Sequence, residues 1–75
     1  MKLQADVRLI FGDDIFDTVL VKKGTPIKTI TRFGKRTIRI ELETPINGYT
    51  SGRIVMHCHT PLNVEPYMNS LINPG

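Results

Sequence analysis

Seventy-five residues, 40% apolar and 23% charged, suffice for a single domain spanning residues 1–75 and exclude a second, since single domains run to ~100 to 200 residues. A core of this size leaves at most a few kcal/mol after ordering costs of ~1.5 kcal/mol per residue, which disfavours a deep, walled active site. The net charge of +3 is ordinary, but its distribution is uneven. Between Thr18 and Ile40 the chain carries Lys22, Lys23, Lys28, Arg32, Lys35, Arg36 and Arg39 with no acid. The rest is acidic on balance, with Lys2, Arg8 and Arg53 against Asp6, Asp13, Asp14, Asp17, Glu41, Glu43 and Glu65.

A lone cysteine, Cys58, cannot close an intramolecular disulfide, so a reducing, cytoplasmic setting is expected. The first residues place a polar side chain at every second position and lack the continuous apolar run of a signal peptide. Leu9-Ile10-Phe11 and Val19-Leu20-Val21 fall far short of the ~20 apolar residues that span a bilayer, so no membrane segment is expected.

Closely spaced turn residues point to a mainly β fold: an antiparallel sheet or partly open barrel of about five strands with a short C-terminal helix. From Leu3 to Phe11, Leu3, Ala5, Val7, Leu9 and Phe11 alternate with Lys2, Gln4, Asp6, Arg8 and Ile10, the two-residue period of a half-buried strand. Residues 13–23 read two ways. Ile15, Phe16, Val19 and Leu20 recur at helical spacing between an acidic start and a Lys22-Lys23-Gly24 end, so a helix at about 14–23 is the alternative. The β-branched Thr18, Val19 and Val21, behind a Gly12-Asp13-Asp14 loop, favour a strand from about Phe16 to Lys22.

Gly34-Lys35 predicts a two-residue hairpin turn, because glycine supplies the positive φ that such turns require. It pairs Phe33 with Arg36, Thr31 with Ile38, Thr29 with Ile40 and Ile27 with Leu42, placing Ile27, Phe33, Ile38, Ile40 and Leu42 on the core face. Asn47-Gly48 is a second turn signal. A strict two-residue turn there would set Leu42 opposite Arg53, so a bulge near Gly52 is expected, pairing Glu43 with Arg53, Glu41 with Val55, Arg39 with His57 and Thr37 with His59. Past Pro61, Pro66 suits a helix start, and Tyr67, Leu71 and Met68, Ile72 are spaced by four, as in a turn or two of helix covering the sheet. An extended tail docking on a partner is the other reading of that segment.

These registers gather Arg32, Lys35, Arg36, Arg39, His57 and His59 around the Gly34 corner of the outer face, with Glu41 and Glu43 at the far end near Lys28 and Arg53. Such a patch suits a polyanion, whose counterions are released on contact, although a solvated basic face is the plain alternative. Phe33 and Tyr49 are the only aromatic candidates for stacking on bases, and Phe33 faces the core in this register. His57 and His59 point the same way from one strand, but two imidazoles fall short of the four protein ligands of a structural zinc site, and no metal is expected. Cys58 points away from both histidines and reads as a small core residue rather than a nucleophile. Asp13, Asp14 and Asp17 read as loop or helix-start acids.

No phosphate-binding glycine loop, nucleophile elbow or metalloprotease motif occurs, so neither an enzyme nor a cofactor is expected. The leading expectation is a non-enzymatic module binding nucleic acid or another polyanion through Arg32, Lys35, Arg36 and Arg39, and secondarily Lys22, Lys23, Lys28, His57 and His59. The alternative is a protein-interaction subunit of accessory, inhibitory or assembly type, such as viral or mobile-element proteins provide. It would dock or form a homo-oligomer through Ile30, Val55, Tyr67, Met68, Leu71 and Ile72.

Overall fold

The computed structural model describes residues 1–34, 36–55 and 64–72. Strands β1 (Val7–Ile10), β2 (Thr18–Val21), β3 (Ile27–Arg32), β4 (Thr37–Ile46) and β5 (Tyr49–Val55) form an antiparallel sheet in the order β2-β1-β5-β4-β3, followed by helix α1 (Val64–Ile72). The mainly β class with a short C-terminal helix is therefore present, as an open sheet rather than a barrel. The ambiguous segment resolves as a strand, and no helix forms at 14–23. No helix among the described residues is long and apolar enough to cross a membrane.

The core lies on one face of the sheet, where Leu3, Val7, Leu9, Phe11, Val21, Ile27, Ile38, Ile40 and Leu42 meet Val64 and Leu71 of α1. Val64 and Leu71 are two helical turns apart and so share a face, and Tyr67, Met68 and Ile72 pack partly buried beside them. Pro66 falls in the first turn, where a missing N–H leaves no intrahelical bond unmade. The last turn is tied back to the first residues of the chain, since Gln4 N–H donates to the Leu71 carbonyl at 2.8 Å.

That tie corrects the first strand. Alternation predicts an unbroken strand from Leu3 to Phe11 with Ala5 facing inward, but the chain bends at Gln4 and Ala5, and Ala5 is exposed. Leu3 N–H donates to the Thr25 carbonyl and Ile27 N–H to the Met1 carbonyl, so the first residues pair with the approach to β3 while Val7–Ile10 pairs with β2 and β5.

Both hairpin registers differ from expectation. In the first, Phe33 N–H donates to the Thr37 carbonyl at 2.7 Å, so Phe33 meets Thr37 rather than the expected Arg36. The ladder becomes Arg32↔Ile38, Thr31↔Arg39, Ile30↔Ile40 and Thr29↔Glu41. A one-residue slip exchanges the two faces of a strand. Ile30 and Arg32 thus turn to the helix side and Phe33 to the outer side, and a bulge between Ile27 and Thr29 absorbs the slip so that Ile27 still meets Leu42. In the second hairpin, Asn47 (φ 51°) and Gly48 (φ 82°) both take positive φ in a tight two-residue turn that pairs Ile46 with Tyr49.

The irregularity there is on β4, between Glu41 and Ile46, rather than near Gly52. Pro45, which has no N–H to give a ladder, sits in that stretch. The β5 partners become Arg53 for Arg39, Val55 for Thr37 and Ser51 for Glu41, replacing the expected pairings with His57, His59 and Val55. The shift is by an even number of residues, so the expected faces survive: Ile54 packs towards the core and Arg53 and Val55 lie outside.

Candidate functional site

The outer face is built from residues that the ladders set side by side: Thr31 beside Arg39, Arg39 beside Arg53, and Arg53 beside Ile10, across β3, β4, β5 and β1. Arg8 shares this face, two residues along β1 from Ile10. Ile10 is buried yet stands apart from the core cluster, because it forms the apolar floor of the outer side.

Arg39 and Arg53 are direct cross-strand partners, which brings their Cβ atoms to ~4.5–5.5 Å. Like charges so placed repel, and the local counter-charge is thin. Arg39 Nη2 lies 3.8 Å from Glu41 Oε1 in an exposed pair of the kind worth ~0–1 kcal/mol. Arg53 Nη1 donates to the Gly12 carbonyl at 2.7 Å, which pins the guanidinium across the end of β1 while using one of its five N–H donors. Around the pair opens a shallow hollow of about 350 Å³ whose lining includes Ile10, Phe33, Arg39, Tyr49 and Arg53, with Asp13 as its acid.

Phe33 is 67% exposed at this hollow. Tyr49 is 45% exposed and its ring is stacked on Phe11, centroids 5.3 Å apart and planes 8° from parallel, so one face is held against the core. A second hollow, of about 470 Å³, holds Lys28, Arg39, Glu41 and Glu43 together, the mixed-charge end expected of this face, although Arg53 stands opposite Arg39 rather than Glu43.

The structure brings only part of the expected basic group together. Arg39 is on the outer face, and Arg36 is exposed in the loop next to Phe33. Arg32 lies on the opposite face, its Nη1 3.5 Å from Glu65 Oε1 of α1 and its Nε donating to the Gly34 carbonyl at 3.0 Å, so the grouping of Arg32 with Arg39 is corrected by the slip of β3. Lys22 and Lys23 are exposed beyond the end of β2, in the turn that leads to β3, and neither lines the hollow around Arg39 and Arg53. Lys35, His57, Cys58 and His59 lie outside the described residues.

Of the residues considered for docking, Val55 is on the outer face and half-buried, Ile30 packs against the core, and Leu71, Tyr67, Met68 and Ile72 are engaged by the sheet through α1. Asp14 makes a local turn, its carboxylate accepting from Phe16 N–H at 2.9 Å and its carbonyl from Asp17 N–H at 3.1 Å, which accounts for an acid at that loop position.

Sequence reasoning leaves Arg53 out of the basic group. Its place depends on the number of extra residues in β4, and the only signal for that lies in Pro45. No protein-family model matches the chain, and comparison with curated proteins and with solved structures finds no significant match.

Proposed function

We propose that the protein is a non-enzymatic module that binds single-stranded nucleic acid on the outer face of its sheet, acting in the cytoplasm. The observation that carries this reading is the cross-strand Arg39–Arg53 pair in one hollow with the exposed ring of Phe33. Arg39 and Arg53 start side by side on neighbouring strands, one guanidinium reaching Glu41 and the other the Gly12 carbonyl, and the N–H donors that each has left suit the oxygens of a phosphate. A ring standing next to that phosphate site offers a stacking surface for an unpaired base, whereas bases inside a duplex offer no free face. Tyr49 is a second platform on the rim, and Arg36 is a further exposed cation in the sequence between Phe33 and Arg39.

The test is titration of a fluorescent oligonucleotide across a salt series. Single-stranded probes should bind more tightly than duplex, with affinity falling as salt rises. Arg39→Ala should weaken binding and flatten the logarithmic salt slope by about 0.7 for each phosphate that is no longer neutralised. Phe33→Ala should cost about 1–3 kcal/mol and leave the slope unchanged, since stacking releases no counterion. Binding indifferent to both substitutions, or to salt, would reject this assignment.

A further inference from the structure

Sheets protect their edges with bulges, lysines, prolines or covering elements. Edge strand β3 has a bulge at Lys28 and α1 packed beside it. Edge strand β2 has neither: its ladder with β1 is regular, its four residues Thr18–Val21 are uncharged, and among the described residues β1 is its only ladder partner. Exposed apolar side chains gather beside it, Leu20 on the strand at 45% exposure and Phe16 (89%) and Ile15 (54%) in the loop that leads into it.

The flanking charges say what fits there. Asp17 precedes the strand and Lys22 and Lys23 follow it, so the edge is acidic at one end and basic at the other. A strand of this pattern complements an antiparallel copy of itself. If a two-fold axis perpendicular to the sheet relates the copies, outer faces stay together and paired residues must have the same parity. Centring on Leu20 meets that condition, with Leu20 opposite Leu20, Val19 opposite Val21, Thr18 opposite Lys22 and Asp17 opposite Lys23. Centring on Val19 instead would leave Asp17 against Val21 and Leu20 against Thr18.

We infer that β2 is a self-association edge that joins two copies of this chain into one continuous antiparallel sheet about a two-fold axis at Leu20. Val19 and Val21 then continue the core side across the junction, and two Asp17–Lys23 pairs clamp its ends. Both outer faces look the same way, so the dimer presents two Arg39–Arg53 hollows on one surface.

Nuclease-treated protein should show a two-protomer mass by light scattering, dissociating on dilution. Leu20→Lys, which places two cations at the axis, should give a monomer. Asp17→Lys should raise the dimer dissociation constant about tenfold by setting lysines opposite each other, and adding Lys23→Asp should restore it. These charge changes are at exposed positions, so they read the interface even if Leu20→Lys impairs folding. Leu20→Cys in a Cys58→Ser background should cross-link on mild oxidation. A monomer at every concentration, or a dimer insensitive to Leu20→Lys and to the charge exchange, would overturn the inference.

Discussion

Gly52 lies on the core side of β5, beside the neighbouring strand β1. A Cβ there would come within 2.7 Å of the Phe11 ring and 3.0 Å of Leu9 Cβ, both in the core. The glycine is therefore needed for close approach rather than for an unusual φ. Gly52→Ala should destabilise the fold by ~1–3 kcal/mol through overpacking, read as a lower midpoint of denaturant unfolding with unchanged m-value. The same ring takes the Tyr49 stack, so a displaced Phe11 would also disturb the rim of the proposed binding hollow. At this scale, stability and site geometry share a side chain.

Among the elements, α1 shows how a short helix is held by tertiary packing. Nine residues are too few for a stable isolated helix in water, so its stability comes from burying Val64 and Leu71 against the sheet. Burial also pushes the Tyr67 phenol above its ordinary pKa of 10.0, because the phenolate is poorly solvated there. The folded state therefore favours the neutral phenol. Its contribution is intact below pH 10.0 and is lost as pH rises through the raised folded value. Alkaline unfolding curves should accordingly fall less steeply above that pH in Tyr67→Phe than in the parent, and identical curves would place Tyr67 outside the packed layer.

The hairpins carry a second lesson at this scale: the type of element is legible in the sequence and its phase is not. Gly34 and Asn47-Gly48 mark turns in the sequence, and both take positive φ in the structure. Yet a register one residue off sends Phe33 outward and Arg32 to α1, and the irregularity around Pro45 sets Arg53 opposite Arg39. An odd slip exchanges faces and an even one does not, so the expected core residues of β4 and β5 hold while β3 is turned over.

Across the whole molecule, a single sheet with one short helix on one side makes a thin body, 16 Å along its least extent. One face of the sheet is left without a layer among the described residues, and that is where Arg8, Arg39 and Arg53 stand. Protection should follow depth within the sheet. Ile38 and Ile40 pair on both sides, with β3 and β5, and are fully buried, so their amides should exchange near the rate of global unfolding. In dilute protein the β2 amides should exchange sooner, by local opening from an edge held on one side. Equal protection of β2 and β4 in such a hydrogen-exchange experiment would contradict this ranking.

Residue order alone determined the class, the strand count, the turn positions and most of the core, because alternation, glycine and β-branching act over a few neighbouring residues. Tertiary structure decided which charged and aromatic side chains meet. That outcome depends on bulges and loop lengths whose cost is settled by how Leu3, Phe11 and α1 pack, through interactions between segments far apart in the chain.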